Sequence, residues 1–193
     1  MAGSPVHYGL KNVHYAVVTE TKDSSTGDIE TSYGTVKAWP GAVSLELSPE
    51  GSNNPFFADD RNWFDKFSNN GYTGSFESVE VPEDVTINVF GQDKATNGLI
   101  TESIDDSSNY IALMFEIEGD PSHRRMVFYR CMLSRPTAGS NTTTDSIEVK
   151  TESVDITVSA RPDDGKIKAF CDSSATIYST FFNSVPVATS TAG

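Results

Sequence analysis

Histidine, cysteine and basic residues are scarce in this chain, and each shortage removes a class of function. The 193 residues include 3 His, 2 Cys and 14 Lys+Arg, against 27 Asp+Glu, for a formal net charge of −13. His7, His14 and His123 lie far apart, and none stands in the spacing of a zinc site. In a chain expected to fold in a cytoplasm, Cys131 and Cys171 read most simply as free thiols in or near strands, with a disulfide between them as the other reading. So few cations argue against a surface built to hold nucleic acid, because binding there rests on neutralising phosphates. No apolar run approaches the about 18 residues of a membrane helix. Met1 to Tyr8 have neither the basic nor the apolar region of a signal peptide, and the chain is expected to fold in a cytoplasm.

Catalytic patterns are missing too. The sequence has no glycine-rich phosphate loop, no nucleophile elbow and no His-Glu-x-x-His. Glu116 and Glu118, two apart on one strand face, read as a wet surface rather than a glycosidase pair, since no aromatic sugar platform stands beside them. Asp59-Asp60 and Asp105-Asp106 lack the spacing of a calcium loop. No enzyme activity, metal or cofactor is expected. Asn141-Thr142-Thr143 matches a glycosylation acceptor and reads as polar loop.

What the chain has instead is carboxylates on the polar face of apolar-alternating segments. A hydrophobic content of 37% with 10% aromatics is that of a folded protein, and the length suits one good core. In Ala42 to Leu47 every second residue is apolar and Glu46 falls on the other face. In Tyr110 to Glu118, Ile111, Leu113, Phe115 and Ile117 point one way, with Glu116 and Glu118 opposite. In Val154 to Val158, Asp155 faces away from the valines and isoleucine. Such period-2 alternation marks sheets with one dry and one wet face.

Further strands are expected at Val13–Thr19, Thr35–Trp39, Tyr72–Val81, Gly98–Glu102, Met126–Arg135 and Lys166–Cys171, with a hairpin from Phe56 to Phe67 around Asp59-Asp60-Arg61-Asn62. Tyr110–Glu118 and Met126–Arg135 form an antiparallel pair across Gly119-Asp120-Pro121. Ile147 to Ala160 changes phase, and a bulge near Thr151-Glu152-Ser153 reconciles its halves. Pro82-Glu83-Asp84 opens a short helix through Val85 and Val89, closed by Gly91. Ser173-Ser174 cap a second short helix carrying Ile177, Phe181 and Phe182. The expectation is one mainly β domain over residues 1–193, an antiparallel β-sandwich or half-barrel with one or two flanking helices. Its ends (1–7 and 187–193) are flexible, and 21–32, 51–63 and 136–145 are mobile loops.

Charge is divided along the chain. Residues 1–120 carry 6 basic and 20 acidic side chains, residues 121–193 carry 8 and 7. The change begins at Arg124-Arg125 and continues with Arg130 and Arg135, which are candidates for contacts with the acidic part of a neighbouring copy.

A set of short motifs now adds a resemblance. Tyr8-Gly9-Leu10-Lys11-Asn12-Val13-His14-Tyr15-Ala16, Tyr33-Gly34-Thr35, Pro40-Gly41-Ala42-Val43, Pro49-Glu50-Gly51 and Phe57-Ala58-Asp59 come in order. Asn69-Asn70-Gly71-Tyr72-Thr73-Gly74, Pro82-Glu83-Asp84, Glu116-Ile117-Glu118-Gly119-Asp120, Arg135-Pro136 and Ser146 to Glu152 follow. Together, over about Tyr8 to Phe182, they resemble the major tail protein of bacteriophages with long, non-contractile tails. The resemblance implies a small β-sandwich or half-barrel with a flanking helix, without enzymatic activity or cofactor. It implies six copies in a ring and stacked rings in a hollow tube, made in the host bacterial cytoplasm and carried in the virion. The partners it implies are other copies, the tape-measure protein, tail terminator and distal tail proteins, and DNA passing without specific binding; no membrane is involved. Phe76-Glu77-Ser78-Val79-Glu80-Val81 departs from the pattern by being more acidic than such a strand.

An acidic wall suits this reading, because a polyanion slides along it without releasing counterions. Glu46, Glu116, Glu118, Glu148, Glu152 and Asp155 are the candidates to face the bore. The other reading of the same sequence is a free-standing β-sandwich module that binds a surface glycan or receptor.

Overall fold

The computed structural model describes residues 9–137 and 150–188, and it is antiparallel throughout. The main sheet has nine strands. Its central path runs β2 (Ile29–Tyr33), β1 (Leu10–Lys22), β10 (Ile111–Ile117), β11 (Arg125–Leu133), β12 (Glu152–Val158), β7 (Gly71–Ser78) and β4 (Ala42–Glu50). β3 (Lys37–Ala38) joins β1, and β13 (Lys168–Cys171) joins β11 beside the part that β12 leaves free. β5 (Asn53–Ala58) pairs with β6 (Arg61–Phe67), and β8 (Asp93–Lys94) with β9 (Ile100–Thr101). The mainly β, antiparallel sandwich expected from the alternation is the fold observed.

The sheet curls so that its inner face closes on one core. Val13, Tyr15, Trp39, Phe76, Leu113 and Ile156 meet there, with Trp39 set edge-on against both Tyr15 and Phe76. One end is stoppered by α1 (Glu83–Asn88), which follows Pro82 as expected and buries Val85, with Val89 and Phe90 behind it. The helix is held by its Asp84 carboxylate, which accepts a 2.6 Å hydrogen bond from Tyr15 Oη and lies 3.2 Å from Lys37 Nζ. Gly91 takes a left-handed φ of +75° just past it, a conformation that costs glycine little.

Several expectations are corrected. Tyr110–Glu118 has no wet face over most of its length: residues 111–116 are all buried. The cause is the C-terminal segment, which lays Phe181 and Val185 over Ala16, Ala112, Met114, Val127 and Tyr129 on the outer face, while Tyr129 Oη donates to Pro186 O. That segment contains a single 3-10 turn, Tyr178–Thr180, rather than a helix capped by Ser173-Ser174, and it is Asp172 Oδ1 that accepts from Ser174 N. Of the expected loop 21–32, residues 23–28 connect two strands and the rest belongs to them. β1 runs on to Lys22 and pairs with β2 from Val18↔Tyr33 to Lys22↔Ile29, because Ile29, Thr31 and Tyr33 supply a β-branched and aromatic face to a short hairpin. The hairpin expected from Phe56 to Phe67 is present as β5–β6 and begins at Asn53, so it takes in most of the expected loop 51–63; it turns at Asp59-Asp60 with both φ positive (51° and 54°), as a two-residue hairpin turn requires. β12 has no bulge at Thr151-Glu152-Ser153: Glu152 to Val158 pair without interruption against Ser78 to Tyr72. Residues 138–145 of the expected third loop, and Ile147 and Val149 on the early side of the phase change, lie outside the described residues. Cys131 and Cys171 are free thiols.

Candidate functional site

Pairing of β4, β7 and β12 fixes which side chains share a face. Glu46 stands opposite Ser75, and Ser75 opposite Asp155; Ser44 and Ser153 both stand opposite Glu77. Partners across an antiparallel ladder point the same way, and so do residues two apart. The outer face of these three strands is therefore built from Ser, Thr and Gly together with Glu46, Glu50, Glu77 and Asp155, and none of its positions holds a Lys or Arg.

Hydroxyls hold some of these carboxylates upright. Ser44 Oγ donates to Glu77 Oε2 at 3.2 Å, Thr151 Oγ1 to Glu77 Oε1, and Thr73 Oγ1 to Glu50 Oε1 at 2.7 Å. Among the described residues no cation comes within ion-pair distance of any of the four. They remain four like charges on one exposed surface, whose field is uncompensated and favours repulsion of polyanions. Glu50 and Glu77 complete this wall, although neither was among the bore-facing candidates expected from the sequence. The register signal for Glu77 was present, since it alternates with buried Phe76 and Ser78.

Other acidic candidates sit elsewhere. Glu116 is 4% exposed on the face covered by the C-terminal segment. It accepts from Arg125 Nε at 3.0 Å and Asn12 Nδ2 at 3.2 Å, with Lys11 Nζ at 3.5 Å. Burial pushes its pKa up, but hydrogen bonds from Arg125 and Asn12 and the charges of Arg125 and Lys11 outweigh this and hold it below the usual carboxylate range. Glu116 is thus corrected from a wet-face residue to a buried, paired one. Glu118 is exposed and lies 3.4 Å from Lys11. Glu152 is also corrected: it shares the inner face with Val154 and Ile156, and its Oε2 accepts from Val81 N at 2.6 Å. Glu148 lies outside the described residues.

All four arginine candidates find a carboxylate in their own chain. Arg124 pairs with Asp120 at 3.1 Å and lies over Phe170. Arg125 pairs with Glu116, as above. Arg130 makes a two-pronged pair with Glu20 at 2.5 and 3.2 Å and stacks 3.6 Å from the centre of the Tyr110 ring. Arg135 pairs with Glu102 at 2.6 Å. Arg125 and Arg130 are mostly covered, whereas Arg124 and Arg135 keep nearly half their side chains exposed.

Between β1, β4, β10 and β11 the core is left open. A cleft of about 430 Å³ is lined there by Leu10, Leu45, Leu47, Ile117, Met126 and Phe128, among others. It lies beside β4, whose outer edge pairs with no other strand among the described residues. The β5–β6 hairpin continues the β4–β7 ladder outward as an arm, linked through Ser68 N to Ser52 O, and among the described residues it pairs with no other element. Phe64 and Phe67 on this arm are 58% and 72% exposed.

Among the described residues no group of three or more His, Cys, Asp or Glu could hold a metal ion, and no helix is long and apolar enough to cross a membrane. No family model and no curated protein matches the chain.

Proposed function

We propose that this chain is a structural subunit that self-assembles into the tail tube of a long-tailed bacteriophage. In this reading, six copies form a ring, rings stack, and the bore encloses the tape-measure protein and then conducts DNA during ejection. Tail terminator and distal tail proteins cap the stack. The observation that carries the reading is the cation-free outer face of β4, β7 and β12 with Glu46, Glu50, Glu77 and Asp155. Turned toward a shared axis, it gives a wall along which phosphate backbones pass without neutralisation.

Two further features support assembly. Among the described residues the edges of β4 and β2 are left unpaired at opposite margins of one sheet, a hazard in a monomer and a means of joining copies. The projecting β5–β6 arm is suited to reaching a neighbour. Among the arginines, Arg124 and Arg135 have the exposure to meet an adjacent acidic surface. Negative-stain electron microscopy of the protein at rising concentration tests the proposal. Rings and tubes are expected; a monomer at every concentration, also in infected cells, would sink it.

A further inference from the structure

We infer that the aromatic arm of one copy seats Phe64 in the apolar mouth beside β4 of another copy. The inference rests on the self-assembly reading and names the surfaces that meet.

The arm poses a physical problem by itself. A two-stranded ribbon is at best marginally stable in water and needs a surface to pack on. Among the described residues the arm pairs with no other strand, and Phe64 is 58% exposed. The mouth poses the complementary problem. Leu10, Leu45, Leu47, Ile117 and Met126 pack on the core and yet are only partly buried where they line the cleft, with Ser44 and Glu46 at its β4 side. An apolar cavity of about 150 Å³ already accepts benzene, so a cleft of about 430 Å³ has room for a phenyl ring and its surroundings.

Charge agrees with this pairing. The arm tip carries Asp59 and Asp60, both exposed and without a cation partner among the described residues. Lys168 lies over Phe128, a residue that lines the mouth, its Nζ 5.9 Å from the centre of that ring and 4.7 Å from that of Tyr72, and it has no carboxylate partner among the described residues. One knob and one hole per copy, on different surfaces, give a head-to-tail contact, the kind that closes into rings or runs on into filaments. A second hollow, of about 150 Å³ beside Phe170, Ile177 and Val187, is smaller, and the cation over it, Arg124, is already paired with Asp120.

The test uses the full chain with Cys171→Ser, which leaves only the buried Cys131 thiol. Phe64→Cys and Leu47→Cys are placed in separate chains, mixed under assembly conditions and oxidised. A disulfide between the two kinds of chain is expected. Phe64→Asp, an exposed position that should not disturb folding, is expected to raise the concentration needed for assembly roughly tenfold or more. Lys168→Glu should weaken assembly, and adding Asp59→Lys and Asp60→Lys to the same chain should recover part of the loss. If the wild type polymerises but Phe64→Asp polymerises equally well and no mixed disulfide forms, the arm-to-mouth contact is wrong while the tube reading stands. If Ile177→Asp blocks assembly and Phe64→Asp does not, the smaller hollow is the receptor and the inference falls. If the wild type never polymerises, both fall together.

Discussion

Arg125 sits between Glu116 and Tyr178: its Nε lies 3.0 Å from Glu116 Oε2, and its guanidinium carbon lies 3.7 Å from the centre of the Tyr178 ring. It also donates to the Tyr178 carbonyl at 2.5 Å, and the Phe182 ring lies 4.8 Å away. One side chain thus neutralises a buried carboxylate of the sheet and fastens the segment that covers the outer face. Replacing it with Ala leaves Glu116 buried with Lys11 as its remaining cation and frees the Tyr178 turn. Arg125→Ala is expected to cost about 3 kcal/mol, in the range for breaking one side of a buried pair. For a chain of this size that lowers Tm by roughly 6–12 °C. Arg124→Ala, on the more exposed pair with Asp120, should cost about 1 kcal/mol or less. Equal, small effects of both substitutions in urea melts would contradict the assignment.

The same pair sets an acid limit on stability. Glu116 and Asp84 both titrate below their ordinary values; for each, burial opposes the shift, while hydrogen bonds from Arg125 and Asn12, or from Tyr15 and Lys37, win. A carboxylate whose pKa is lower in the folded state stabilises fully above the unfolded value, about 4.3 for Glu and about 3.9 for Asp. That contribution disappears as pH falls through the folded value. Urea midpoints are therefore expected to be flat from pH 7 to about 5 and to drop steeply below about 4. Glu116→Gln should lower the plateau and flatten the acid limb. An acid limb of unchanged slope in that variant would assign the acid sensitivity to other groups.

How far the sequence could be read depended on whether a residue's neighbours were local. The alternation of Leu45, Leu47, Val154, Ile156 and Val158 was enough to place Glu46 and Asp155 outward, because β4 and β12 bury one face only. Glu116 followed the same local pattern and came out buried, since the residues that cover it lie about sixty positions later and carry no repeat that announces them. Glu152 shows the opposite case. Its parity with Val154 already turned it inward, but the Val81 amide that it serves belongs to a distant strand end. The β2 strand was hidden by the polar tip of its hairpin, where Asp23 bonds the Ser25 and Thr26 amides. The arginine partners Glu20 and Glu102 arise from packing across the sheet, which no spacing along the chain encodes.

Gly74 marks a place where two strands lack room for a side chain. A Cβ built there would lie 1.8 Å from the Glu46 carbonyl oxygen, which is backbone and cannot swing aside. Gly74→Ala must therefore push β4 away from β7 and disturb the register that carries Glu46. The expected cost is at least about 2 kcal/mol, typical of overpacking against a rigid neighbour. Gly98→Ala is a useful contrast: no atom lies within 4 Å of its Cβ, so its cost comes from the positive φ of 88° alone. Urea melts should rank Gly74→Ala as clearly the worse, and faster hydrogen exchange should appear at the β4 amides. Unchanged exchange at β4 would mean that the two strands are not held so close.

Reversing the charge of the wall separates its two possible roles, solubility and passage. Glu46 and Asp155 are exposed and make no ion pair among the described residues, so Glu46→Lys with Asp155→Lys should change stability by less than about 0.5 kcal/mol each. If the wall faces a bore, every ring of six then gains twelve cations pointing at the DNA path. Tubes of the variant should retain DNA where wild-type tubes do not, and the retention should vanish as salt rises, since each neutralised phosphate adds about one unit to the log–log salt slope. Virions carrying the variant should attach normally and eject slowly, with the delay shortened at high ionic strength. Filter binding of DNA to purified tubes and the kinetics of ejection at two salt concentrations read this directly. Variant tubes that ignore DNA at low salt, while remaining folded and assembled, would place the carboxylates on the outside of the particle, where their effect is on solubility alone.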